Sequence, residues 1–333
     1  MRSLGILLGF MIVLSSTQFE AQQRMRLSQT IRSPYLLNPA ATGIYDFFDA
    51  TLVGRTQWMG FGDEPRSGVF GFSKVLGLKH RTMFNPSLRI SQGVVRNPEV
   101  NTGALKHAIG GQVFTDTYGA FSRTHVSGVY AIHLPINDRC NMSFGTRVGL
   151  SNSTFNAQKA VVGNLNDPSS SYNGGDNTYD KFVTNQSNKF NLDIDAGLYV
   201  YAKRFFVGLS ADNMTKNAVS FGSGTANFNY QIHTNIIGGL KLRLGENLTV
   251  TPSVIARYMK PSPVSVETNV LFDYKELVWF GGGYRIDDAA VAMVGMNLSN
   301  KFKLGYSYDV TTSRMNSVKT GTHELILGIM LGR

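Results

Sequence analysis

The sequence predicts an all-β protein: a transmembrane antiparallel β-barrel of about fourteen strands, with long extracellular loops and short periplasmic turns. Three observations lead there. Segments of about ten residues alternate apolar and polar side chains with period two. Those segments cover most of the 333 residues. An export-type leader precedes them.

Composition removes the main competitors. Only 16% of residues are charged and 42% are hydrophobic, which excludes a disordered chain. A single Cys excludes a disulfide framework or a cysteine-rich zinc module. Mean hydropathy is near zero, too polar for a helical membrane protein. The 35 Gly exceed ordinary usage.

The elements follow in order. Met1-Arg2 opens the chain, and Leu4 to Leu14 is an apolar run broken only by Gly. That run is too short to span a bilayer, and small residues end it, so residues 1–21 read as a signal peptide cleaved after Ala21. Residues 22–48 are expected to be an N-terminal periplasmic or plug segment, and 49–333 the barrel. In 191–201, Leu192, Ile194, Ala196, Leu198 and Val200 alternate with Asn191, Asp193, Asp195 and Gly197. The same period runs through 140–150, 302–310 and 323–331. A soluble sandwich would also alternate. Segment length decides for lipid: a tilted spanning strand needs ~9–11 residues, against ~5–6 for the mean soluble strand.

The fourteen strands are expected near 49–58, 66–74, 105–114, 122–134, 140–150, 190–201, 203–213, 230–243, 247–257, 264–273, 276–286, 289–298, 301–310 and 321–331. With both termini periplasmic, the even connections should be short. Five are, and the second, 75–104, is long. The external set includes the long segments 151–189, 214–229 and 311–320. Pro252 falls inside a strand and requires a bulge or an unpaired position. Trp58, Phe61, Tyr118, Phe121, Tyr258, Trp279 and Tyr284 fall near strand ends, as interfacial girdles would.

Motifs for chemistry are scarce. The six His form no HxxxH or HExxH pattern, and no Walker or GxSxG motif occurs. Asp167, Asp176, Asn177 and Asp180 lack the regular spacing of a calcium loop and read as a solvated external loop. No catalytic residue, metal or cofactor is expected. The polar strand faces carry Arg55, Arg147, Asp193, Asp195, Asp212, Lys241, Arg257, Glu267, Arg285 and Lys303. Mixed signs inside a medium barrel predict pairing across the lumen and a partly closed interior.

The net charge of +10 has a location. Segment 74–107 holds Lys74, Lys79, Arg81, Arg89, Arg96 and Lys106 against Glu99 alone, and Arg24, Arg26 and Arg32 follow the leader. Parity places both stretches in the periplasm. Lys79, Arg81, Arg89 and Arg96 are then candidate contacts for anionic lipid heads of the outer membrane or an acidic periplasmic protein, with a solvated charged loop as the alternative. Nucleic acid is not expected as a partner there.

Several elements together resemble a known family. Ser33-Pro34-Tyr35-Leu36-Leu37-Asn38-Pro39-Ala40-Ala41-Thr42-Gly43 follows the leader, then Arg55-Thr56-Gln57-Trp58, Gly60-Phe61 and Asp116-Thr117-Tyr118-Gly119. From about residue 28 to the C-terminus the chain resembles the PorP/SprF outer-membrane proteins of Bacteroidota, associated with type IX secretion and gliding motility. The insertion 75–104 departs from that pattern, and the C-terminal Arg333 departs slightly. Asn38-Pro39 makes a turn, and Gly43 permits close approach to the wall. Asn38, Pro39, Gly43, Arg55, Gln57 and Trp58 would close and plug the barrel, or touch a partner.

The resemblance implies an outer-membrane protein with one of two roles. It would bind and anchor a secreted type IX substrate, often an adhesin, through that protein's C-terminal sorting domain. Alternatively it would join the secretion apparatus near its periplasmic ring protein and lipoprotein. A small-solute channel is the reading from a different class.

Overall fold

The computed structural model describes residues 26–60, 64–77, 100–156, 188–215, 231–260, 262–298, 301–312 and 321–332, with short pieces at 159, 163–164, 167–171, 218–221 and 226–229. The expected signal peptide, Phe61, and Lys79, Arg81, Arg89 and Arg96 lie outside the described residues.

Fourteen antiparallel strands form the barrel: β1 (Phe48–Thr56), β2 (Arg66–Leu76), β3 (Lys106–Tyr118), β4 (Phe121–Asn137), β5 (Cys140–Phe155), β6 (Asn188–Ala202) and β7 (Phe205–Asp212). Then come β8 (His233–Leu240 continued by Leu242–Leu244), β9 (Leu248–Tyr258), β10 (Ser265–Tyr274), β11 (Val278–Arg285), β12 (Ala289–Leu298), β13 (Phe302–Thr311) and β14 (Thr322–Leu331). Each strand pairs with its sequence neighbours, and β1 pairs with β14 from Phe48↔Leu331 to Thr56↔His323. The ring is closed, so no edge exposes unpaired backbone to lipid.

Pro252 explains the interruption of β8. The β8–β9 ladder runs from Thr234↔Tyr258 to Gly239↔Ser253 and resumes at Leu242↔Val250. The gap faces Pro252, which has no N–H to donate. On its other side Pro252 stays in register with Val270 of β10.

Burial inverts the soluble pattern. Leu52, Phe70, Val126, Phe144, Leu192, Val254, Phe280 and Leu327 point outward and are exposed, while Thr51, Ser143, Asp195, Glu267 and Ser307 are buried. Apolar side chains outward and polar ones inward suit a barrel in hydrocarbon.

The two ends differ. At the turn end, β4–β5, β6–β7, β8–β9 and β10–β11 connect within a few residues. At the loop end, long segments follow β5, β7 and β13, but β3–β4 and β11–β12 are tight turns. Strands β3 to β6 have 13, 17, 16 and 15 residues and rise at the loop end. Residues 115–118, 151–155 and 188–189, expected as connections, are therefore strand. Their outward face explains the misreading. The row Val113, Val126, Leu150 and Leu192 is apolar, but the next turns polar at Thr115, Thr124 and Asn152, with Phe190 of β6 its apolar end. The strands continue above the apolar band, where the lipid signature stops.

Candidate functional site: a plugged lumen

The N-terminal segment 26–47 lies inside the ring as three short 3₁₀ turns, Thr30–Arg32, Pro34–Leu36 and Pro39–Ala41. Asn38 caps the third: its Oδ1 accepts from the Ala40 amide at 2.9 Å. Its Nδ2 donates to the carbonyls of Leu198 and Leu209, each at 3.1 Å. Pro39 starts that turn, where its missing N–H costs nothing. A side chain at Gly197 would collide with Asn38 Oδ1. Gly43 has φ +83°, and a Cβ there would run into Ala108. Its amide donates to Ser73 Oγ at 2.8 Å. The Asn38-Pro39 and Gly43 elements thus seat the plug against β2, β3, β6 and β7.

Charged side chains tie plug to wall. Near the loop end, Arg55 donates to Asp309 at 2.8 Å and Glu324 at 3.0 Å. Ser28 sits between them: its amide donates to Glu324 at 2.8 Å and its hydroxyl to Asp309 at 2.8 Å. Arg285 bonds Glu267 at 3.0 Å and Asp288 at 3.1 Å, and Arg257 shares Glu267 at 3.0 Å. Arg26 reaches Asp288 at 3.1 Å. Burial, with Arg285 nearby, lowers the Arg26 guanidinium to about 10.

A second cluster lies on β4 to β7. Arg147 pairs with Asp195 at 3.1 Å and donates to the Tyr35 carbonyl at 2.9 Å. Arg123 pairs with Asp193 at 2.8 Å. Near the turn end, Lys303 holds Asp49 at 2.9 Å and Ser33 Oγ at 3.0 Å, and Arg32 holds Asp273 at 2.8 Å. Each buried charge has an opposite partner, as low-dielectric surroundings require.

The structure therefore places Arg55, Arg147, Asp193, Asp195, Arg257, Glu267 and Arg285 in the lumen. Gln57 and Trp58 follow β1 at the loop end. The Gln57 amide donates to the Pro65 carbonyl, and Trp58 meets Tyr118 edge-on. Two expectations are corrected. Trp279 is not in a girdle: it is fully buried in the lumen, because β11 turns Phe280 and Tyr284 outward. Arg32 stacks 4.1 Å over it and Gln29 accepts from its indole N–H. Arg26 is not at the periplasmic end either; Asp288, its partner, lies in the β11–β12 turn. Ser28, Gln29, Asp309, Glu324 and Trp279 escaped the sequence reading as plug contacts. Strand parity places Asp309 and Glu324 inward, but nothing local marks Ser28 as their partner.

His133 binds structure rather than a ligand: its Nε2 meets the Thr42 carbonyl at 2.7 Å and its Nδ1 the Tyr201 hydroxyl at 2.8 Å. Among the described residues, no group of three or more His, Cys, Asp or Glu is placed to hold a metal ion. Two cavities flank the plug. The one toward the loop end, about 80 Å³, is lined by Arg26, Leu36, Phe114, His233, Arg257 and Tyr258 among others. The one toward the turn end, about 120 Å³, is lined by Arg32, Tyr45, Lys241, Arg243, Asp273 and Lys303 among others.

Comparison with solved structures finds other barrels. Acinetobacter baumannii Omp33 is 7% identical, with 87% of this chain and 99% of that one covered and a TM-score of 0.41. The Pseudomonas putida toluene transporter TodX is 9% identical, with 90% and 92% covered and a TM-score of 0.47. A Pseudomonas aeruginosa FadL homologue is 10% identical, with 88% and 91% covered and a TM-score of 0.44. No curated protein matches the sequence. Residues 19–329 match the family described as type IX secretion system membrane protein PorP/SprF, and with that match over nearly its whole length the chain belongs to this family of outer-membrane β-barrels.

Proposed function

We propose that this barrel binds and anchors a secreted type IX substrate at the cell surface, holding it by its C-terminal sorting domain, in support of surface attachment or gliding. The protein acts by binding, without catalysis. One observation carries this over a small-solute channel: segment 26–47 fills the lumen and is held by buried ion pairs and hydrogen bonds to the wall. A barrel closed this way offers surfaces rather than a path. The long loop-end connections and the risen strands β3 to β6 supply an external surface.

A second reading has its own support at the other end. Arg32, Lys203, Lys241, Arg243 and Lys303 line the turn-end cavity against Asp49, Asp273 and Glu276. The insertion with Lys79, Arg81, Arg89 and Arg96 joins the barrel at the same end. This basic face fits an acidic periplasmic component such as the ring protein or its lipoprotein.

Gentle extraction of the tagged protein from its native membrane, followed by mass spectrometry, tests the proposal. A large secreted protein in near-equal amount is the expected result. Ring protein and lipoprotein without that cargo would replace it with the second reading. Recovery of the barrel alone would overturn both.

A further inference from the structure

The loop-end cavity carries chemistry that plugging leaves unused. The plug bounds it on one side, through Leu36 and Leu37, and β2, β3 and β7 to β10 bound it on the other. Met259, Ser262 and Pro263, between β9 and β10, border it at the loop end. At ~10–15 Å³ for each water, its volume of about 80 Å³ holds about six waters, the space of one small amino-acid residue.

The lining divides into two parts. Leu36, Val69, Phe114 and Met259 are apolar. Arg26 and Arg257 are cationic, against a single carboxylate among the described lining residues, Asp212. That carboxylate accepts from Asn235 at 2.8 Å and lies 4.0 Å from Arg147. Each guanidinium makes one hydrogen bond through Nη1: Arg26 to Asp288 at 3.1 Å and Arg257 to Glu267 at 3.0 Å. Among the described residues neither side chain bonds any other group, so both keep N–H donors for a ligand. Two buried polar atoms of the lining residues also lack a hydrogen-bond partner, Gln112 Oε1 and Ser265 Oγ. Gln112 is only 7% exposed, and a folded protein rarely leaves so buried an acceptor without a donor.

We propose that this cavity binds the C-terminal residue of a polypeptide. The terminal carboxylate takes the remaining N–H groups of Arg26 and Arg257, in charge-assisted hydrogen bonds. The last amide N–H supplies the donor that Gln112 Oε1 lacks, and an aliphatic side chain fills the apolar part. A free amino acid fits less well, because its ammonium faces two guanidiniums. A simple aliphatic acid brings no N–H to Gln112. The cavity lies toward the extracellular end, so the ligand belongs to an external protein, and in this the inference rests on the proposed anchoring function.

The probe is N-acetylvaline, which carries the carboxylate, the N–H and an aliphatic side chain. Isothermal titration calorimetry on the full-length barrel in detergent measures its binding. Saturable binding is expected, about tenfold weaker for N-acetylvalinamide and for isovalerate. Arg257→Gln should weaken the acid about tenfold and leave the amide unchanged. In that variant Glu267 stays paired with Arg285 and bonded to Asn269, so no buried carboxylate loses its cation. Arg26→Gln is a second variant with the same expected loss, and Asp288 stays held by Arg285. Equal binding of acid and amide, or no effect of either variant, would overturn the carboxylate site. Isovalerate bound as tightly as N-acetylvaline would overturn the polypeptide assignment in favour of a free organic acid. Absence of saturable binding would overturn the whole inference. The two readings fail separately: N-acetylvaline bound, with no cargo recovered from the native membrane, contradicts the anchoring function alone. Cargo recovered, with no binding of the probe, contradicts the C-terminal site alone.

Discussion

The guanidinium of Arg55 on β1 meets the carboxylate of Asp309 on β13 at 2.8 Å, with β14 between them and the Ser28 hydroxyl bonded to both. This contact joins the seam where the ring closes to the segment that fills it. Barrel closure and plugging therefore share one set of contacts at this point.

Removing Arg55 leaves Glu324 without a cationic partner and Asp309 with only the more distant Arg285, at 3.7 Å. Arg55→Met should destabilise the folded barrel by ~3–5 kcal/mol. Thermal unfolding in detergent, followed by loss of the heat-modifiable band on gels, reads the shift. Adding Asp309→Asn should restore part of the loss. A double variant no more stable than Arg55→Met would mean that the pair does not interact.

Filling of the lumen predicts electrical silence. The intact protein should show no steady conductance in planar bilayers. Deleting residues 28–45 should open steps typical of a medium barrel, provided circular dichroism still reports strand. Steady conductance of the intact protein would move the assignment to a channel.

Gly197 and Gly54 separate plug contact from wall contact. A Cβ at Gly197 strikes Asn38, whereas one at Gly54 meets nothing within 4 Å. Gly197→Val should expel or distort the plug and raise protease sensitivity after residue 26. Gly54→Val should leave it unchanged, because position 54 points into lipid. Equal sensitivity of the two variants would contradict the placement of Asn38.

Trp279 offers an optical test. In a Trp58→Phe variant it is the one remaining tryptophan. Brominated lipids should leave its emission unquenched, because it is buried in the lumen under Arg32. Aqueous acrylamide should quench it weakly. Trp279→Ala should cost ~3–5 kcal/mol, as loss of a large buried side chain does.

The amphipathic period determined most of the barrel. Hydrocarbon accepts only apolar side chains, and adjacent strand positions face opposite ways, so Leu192, Ile194 and Leu198 had to point to lipid and Asp193 and Asp195 inward. Strand number, direction and the lumen location of the charges followed from that constraint. The alternating apolar signal ends early on β3 and β5, where Thr115 and Asn152 stand above the apolar band and carry no lipid signature. It misplaced Trp279 because an aromatic near a strand end suits a girdle or a lumen equally until parity is counted.

Tertiary structure alone decided which charges meet and where segment 26–47 is seated. Ser28 and Glu324 are 296 residues apart, and Arg26 and Asp288 are 262 apart. Such pairs depend on closing the ring and on the stagger between its strands. Both are global properties that no window of ten residues encodes. For the same reason the seating of segment 26–47 inside the ring is absent from the strand pattern: it is set in part by the carboxylates of β13 and β14, which exist as a site only once the barrel has closed around Ser28.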